Sequence, residues 1–188
     1  MRMGDFPNAV QVFSEVEVGC AYERLAAGLQ PHVSGGECVL ISILMGGLIP
    51  AARLAGMLTG DFAIDCCRVS RYRGGVKGGE LQLLHPPQSN LDRKTVLLVD
   101  DIYDEGRTLD YMVSACRERG AADIVSAVLV RKRHDRAVDG VQPDLIGLEV
   151  DDHYVFGCGM DYQNRWRHLP AIYALRDEGP NEEQDDGR

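Results

Sequence analysis

Two adjacent carboxylates, Asp100 and Asp101, close the apolar run Val96 to Val99, and three residues later come Asp104, Glu105, Gly106, Arg107 and Thr108. Consecutive acids suit a place where a strand leaves a sheet, because they need partners outside an apolar core. Vicinal ribose hydroxyls, or a Mg²⁺ ion that keeps part of its water shell, would provide them: carboxylates accept from hydroxyls and favour hard cations. The segment then runs into a helix spanning Leu109 to Arg119. Free backbone N–H groups and the helix dipole at its N-terminus favour an anion such as phosphate. Gly106 permits close backbone approach and Thr108 adds a hydroxyl. Helix capping would account for one of the four acids and leaves the others unexplained.

The surrounding pattern supplies the elements that must hold these groups. Leu109, Met112, Val113 and Cys116 repeat at helical spacing, and Gly120 stands where that helix should stop. With Ile124 to Val130 as a following strand, Val96 to Val130 reads as one βαβ unit. Upstream, Ser14 and Glu17 form a capping box ahead of a helix carrying Val18, Leu25 and Leu29. Cys38 to Leu44 reads as a strand, followed by Gly46 and Gly47 and a helix over Leu48 to Leu58. Further strands are expected over Phe62 to Cys67, Leu145 to Val150 and Tyr154 to Gly157. Short apolar strands alternating with helices predict an α/β fold, a mainly parallel sheet covered on both faces, with ligand loops at the carboxyl ends of strands.

Bulk properties narrow the function classes. The 188 residues, 45% hydrophobic and 26% charged, fit a single domain over residues 1–175 and an acidic, disordered tail over 176–188. No apolar run is long enough to cross a membrane, and the N-terminus lacks signal-peptide layout, so a cytoplasmic location is expected. A net charge of −9 argues against a broad nucleic-acid surface. Six scattered cysteines, with no CxxC pair, read as buried reduced thiols. The basic, glycine-rich stretch RYRGGVKGGE, Arg71 to Glu80, reads as a mobile surface loop facing an anionic ligand.

The Val96 to Leu109 segment resembles the phosphoribosyl-diphosphate signature of the type I phosphoribosyltransferases, and the resemblance extends from about Cys38 to Ala174, closest to members acting on hypoxanthine and guanine. It implies a twisted, mainly parallel sheet flanked by helices, with a small hood and a mobile lid. It also implies a purine-salvage enzyme that moves 5-phosphoribosyl from phosphoribosyl diphosphate to hypoxanthine or guanine, giving IMP or GMP and pyrophosphate. Asp104 would then be the general base near N7 of the purine, Asp100 and Asp101 would contact the ribose hydroxyls, and residues 105–108, from Glu105 and Gly106 through Arg107 and Thr108, would grip the 5′-phosphate. Lys132 would donate to the purine O6, Tyr154 would stack on the base, and Val155 would meet its edge through the backbone. Asp161 would sit near the base and Mg²⁺, which Asp100 and Asp101 would help to hold. Met45, Gly46 and Gly47 would form the pyrophosphate loop, often built with a strained peptide bond, with Arg167 as a further pyrophosphate ligand. Arg71 and Tyr72 would belong to the lid, and a homodimer or homotetramer is implied.

The sequence departs from the family pattern at three places: Glu105 replaces a small hydroxyl residue, Met45 a lysine and Arg71 a serine. A carboxylate at position 105 is expected to point away from the phosphate. Alternatives that remain open are a phosphoribosyltransferase preferring xanthine or a pyrimidine, and a nucleic-acid-binding regulator that keeps the phosphoribosyl site as a sensor.

Overall fold

Every residue of Cys38–Leu44 (β2) except Leu44 is buried, and a strand so apolar on both faces is stable only inside a sheet that is covered twice. The computed structural model, which describes residues 9–33, 37–71, 81–136, 138 and 140–176, places it there. β2 pairs in parallel with Ala63–Arg71 (β3) on one side and Thr95–Tyr103 (β5) on the other. β5 pairs in parallel with Asp123–Arg133 (β6), and β6 with Leu145–Asp151 (β7). Leu81–His85 (β4) closes the β3 edge in antiparallel sense, so among the described residues the sheet order is β4-β3-β2-β5-β6-β7. The edge strand β4 was not foreseen: it is largely exposed and lacks the buried alternation that marks a strand in sequence.

Side-chain alternation divides the core between the two faces. Leu40, Leu97, Ala127 and Leu129 pack under Glu15–Leu29 (α1) and Leu48–Ala55 (α2). Val39, Ile41, Val96 and Leu98 pack under Leu109, Met112, Val113 and Cys116 of Arg107–Glu118 (α3). The capping box forms as expected: Glu17 N–H donates to Ser14 Oγ at 3.3 Å, and Ser14 N–H donates to Glu17 Oε2 at 2.8 Å. Gly120 adopts φ 84° just beyond the end of α3, the left-handed conformation that favours glycine there. Helix α2 is shorter than expected, ending at Ala55 rather than Leu58.

A second, antiparallel sheet of order β1-β9-β8 joins Ala9–Phe13 (β1), Ile172–Leu175 (β9) and Val155–Phe156 (β8). This is the expected hood. Its edge strand β1 and central strand β9 come from opposite ends of the described chain and were not legible locally. Cys38, Cys67, Cys116 and Cys158 are buried thiols; contrary to expectation Cys66 is only partly buried, and Cys20 is exposed because it lies off the buried stripe of α1. No helix among the described residues is long and apolar enough to cross a membrane. The expected lid lies outside the described residues except for Arg71, whose backbone ends β3. The acidic tail beyond Arg176 also lies outside them.

Candidate active site

Strand β5 outruns its neighbour. Pairing with β2 stops at Val99, but pairing with β6 continues through Ile102 and Tyr103. Asp100 and Asp101 are therefore inside the strand rather than beyond it, as the sequence reading had them, with β2 no longer alongside. Likewise, β6 runs to Arg133, so Lys132 sits within its last residues and not past its end. Both corrections have one kind of cause: the β5–β6 ladder carries Asp100 to Tyr103, and the β6–β7 ladder carries Lys132 and Arg133, with backbone hydrogen bonding that admits polar residues local propensity would exclude.

The space left open beside β5 is filled by the turn after β2. The Leu44–Met45 peptide is cis. A Cβ on Gly46 would lie 2.0 Å from Asp101 Oδ2, so only glycine fits where that turn meets the carboxylate. Gly159, with φ 111°, approaches from the other side; a Cβ there would lie 2.3 Å from the Gly46 carbonyl oxygen. Gly47 starts α2, and Met45 is about half exposed with its side chain in solvent. Arg167 bridges this region, donating to the Gly159 carbonyl and to Asp161 Oδ1, both at 2.6 Å, and standing 4.0 Å from Asp101 Oδ2.

Helix α3 begins at Arg107, two residues earlier than expected, with Gly106 as its N-cap at φ 84°. No side chain caps it, so the first N–H groups face the loop and Thr108 lies in the first turn. Glu105 is paired with Arg107, Oε2 to Nε at 3.0 Å, which neutralises the one acid the family pattern did not call for. Residues 100–109 line a cavity of about 280 Å³ together with Gly46 and Arg167. A second cavity, about 180 Å³, shares Asp101, Ile102 and Asp104 with it and is otherwise lined by Lys132, Tyr154, Val155, Met160 and Asp161. Tyr154 presents a half-exposed ring whose hydroxyl donates to the Asp161 carbonyl at 2.9 Å. Val155 is buried in β8.

Sequence reasoning missed His134, Arg136 and Asp152 around Asp104. His134 Nε2 lies 2.6 Å from Asp104 Oδ1, and Arg136 and Lys132 reach both Asp104 and Asp152. A period-two reading of β6 could have found His134. Arg131 and Arg133 pair with Glu149 and Asp151 on β7, leaving Lys132 and His134 to face the other way.

Burial and the neighbouring Asp101 carboxylate push the Asp100 carboxyl well above the usual carboxylate range. Burial also raises Asp101, against the lowering influence of its Asp100 hydrogen bond and Arg167. Paired acids held at such a cost suit vicinal hydroxyls or a hard cation. The carboxylate of Asp161, the third expected metal ligand, is paired with Arg167 and lines the second cavity with Asp101.

These loops at the carboxyl edge of a parallel sheet define a class of protein that binds a phosphorylated sugar. Residues 13–165 match the phosphoribosyl transferase domain family, and the chain belongs to that family, with its type I fold. The hypoxanthine-guanine phosphoribosyltransferase of Streptococcus mutans is 30% identical over 168 residues, covering 89% of this chain and 93% of the relative. That of Bacillus subtilis is 31% identical, covering 88% and 92%. A crystal structure of a Staphylococcus aureus hypoxanthine phosphoribosyltransferase superposes with a TM-score of 0.81 at 27% identity, covering 89% of this chain and 91% of that one.

The raised Asp100 pKa yields a stability prediction. A carboxyl whose folded-state pKa lies above its unfolded value penalises the folded state once ionised, and the penalty disappears as pH falls through the folded pKa. Asp100→Asn should therefore stabilise the ligand-free protein at pH 7.5 by on the order of 1 kcal/mol, roughly 2–4 °C in Tm. Calorimetry at descending pH should show that gain shrinking.

Proposed function

We propose that this protein is a purine-salvage enzyme that transfers 5-phosphoribosyl from phosphoribosyl diphosphate to N9 of hypoxanthine or guanine, releasing pyrophosphate. The observation that carries the reading is the meeting of two cavities at Asp101, Ile102 and Asp104, one bounded by an uncapped helix N-terminus and the other by Lys132 and Tyr154. The names of the relatives point to the same bases.

In this mechanism the first-turn amides of α3 and the Thr108 hydroxyl hold the 5′-phosphate. Asp100 and Asp101 accept from the ribose hydroxyls. The diphosphate lies against the amides of the Met45, Gly46 and Gly47 turn, with Arg167 opposite. Asp100 and Asp101 would hold a Mg²⁺ ion, which would supply positive charge to the diphosphate leaving group. Tyr154 stacks on the base and the Val155 backbone meets its edge. Lys132 donates to O6, which favours a 6-oxo purine because an ammonium has no useful acceptor in the amino group of adenine. As N9 bonds to C1′ and the C1′–O bond to diphosphate breaks, the N7 proton passes to Asp104.

A spectrophotometric screen of free bases with phosphoribosyl diphosphate and Mg²⁺ tests the reading: hypoxanthine and guanine should react, and preferential use of adenine or a pyrimidine would overturn it. Lys132→Gln should lower kcat/KM for hypoxanthine by roughly 10–100-fold, the value of a charge-assisted hydrogen bond, with a much smaller change in donor KM. The Glu105–Arg107 pair can be probed by a double-mutant cycle. Arg107→Gln alone should raise donor KM about tenfold by baring a carboxylate beside the phosphate, and adding Glu105→Gln should recover most of that loss. Failure to recover would make Arg107 itself the phosphate ligand.

A further inference from the structure

We infer that His134 is a positioning residue that aims Asp104 at the base, and this rests on the proposed role of Asp104 as general base. The ring of His134 is 6% exposed, just beyond the end of β6. Its Nδ1 accepts the backbone N–H of Arg136 at 3.1 Å, and its Nε2 lies 2.6 Å from Asp104 Oδ1. A peptide N–H can only donate, so Nδ1 carries the lone pair, and the one proton of a neutral imidazole must sit on Nε2. The contact with Asp104 is therefore Nε2–H donating to a carboxylate, in a tautomer dictated by the local backbone.

Three consequences follow for Asp104, which is otherwise a 43% exposed side chain at the end of a strand. First, the hydrogen bond engages Oδ1 and orients the carboxylate, leaving Oδ2 on the side of Lys132, whose Nζ is 3.5 Å away and which lines the base cavity with it. Second, a carboxylate can accept on both of its oxygens, so the bond at Oδ1 leaves Oδ2 able to take the N7 proton. Third, His134 is not a proton relay, because Nε2 already bears a hydrogen and Nδ1 is occupied by the peptide; the transferred proton stays on Asp104.

Asp104, His134 and Asp152 also place ligand atoms within 4.8 Å of one another, a spacing a metal ion could use. Two cations already serve those carboxylates, however. Lys132 lies 3.5 and 3.6 Å from Asp104 and Asp152, and Arg136 lies 2.8 Å from Asp152 and 3.6 Å from Asp104. A divalent ion there would meet both positive charges and the Nε2 proton.

Steady-state kinetics of the full-length protein with hypoxanthine and phosphoribosyl diphosphate test the inference. His134→Ala should lower kcat roughly 10–100-fold, a charge-assisted hydrogen bond's worth, while donor KM stays within about threefold. His134→Gln, whose amide N–H can reach the place of Nε2–H, should recover most of the rate. On an Asp104→Asn background, His134→Ala should cost little more, since residues acting as one unit are non-additive. A wild-type kcat in His134→Ala, no recovery by Gln, or a full additional loss in the double variant would each overturn the assignment. If the unsubstituted protein turns over no 6-oxo purine, the base assignment of Asp104 fails instead. Ring ¹⁵N shifts of His134 in that protein still decide the tautomer: a protonated Nε2 with a bare Nδ1 is expected, and the reverse would refute the inferred contact.

Discussion

Two like charges held side by side at the end of β5 set the terms for everything around them. Burial opposes ionisation of both Asp100 and Asp101, and for Asp100 the neighbouring carboxylate adds to it, so the local structure spends stability on chemistry that a core strand would never carry. What makes this possible is unequal strand length. β5 keeps its ladder with β6 after its pairing with β2 has ended at Val99, which leaves the carboxylates supported by hydrogen-bonded backbone on one side and open on the other.

The rest of the site fits into that opening. Glycine at 46 and 159 lets two turns close around Asp101 at distances that a single methyl group would forbid. Arg167 ties the same turns together through Gly159 and Asp161. Its guanidinium is the one cation that reaches both Asp101 and Asp161 among the contacts described. The buried sheet behind these loops is what keeps them rigid: the side chains beneath β2 and β5 are fully packed on both faces, and precision in a binding site requires such support.

At the end of β6 the logic is alternation. Arg131 and Arg133 are consumed by acids on β7, and Lys132 and His134 are thereby committed to the opposite side, toward Asp104. The result is a charge network of Asp104, Lys132, Arg136 and Asp152 in which each carboxylate meets more than one cation. On the proposed reading, a base entering this space would exchange one set of partners for another and need not desolvate bare charges.

Much of this was present in the sequence. The βαβ unit from β5 to β6, the helix stop at Gly120, the capping box at Ser14, and the grouping of Asp100 to Thr108 follow from local rules of periodicity, turn chemistry and charge, which act over a few residues. The motif residues also told which chain segments converge. Tertiary structure alone decided how far strands run, because β6 extends β5 and β7 extends β6 through hydrogen bonds that no local propensity encodes. It decided the hood, whose strands β1 and β9 meet from distant parts of the chain. It gave Glu105 a partner in Arg107, turned Arg167 toward Asp161, and brought His134 to Asp104. The first two pairings lie within one chain segment and the third joins two, and in each the distance of a few ångströms is set by packing rather than by order along the chain.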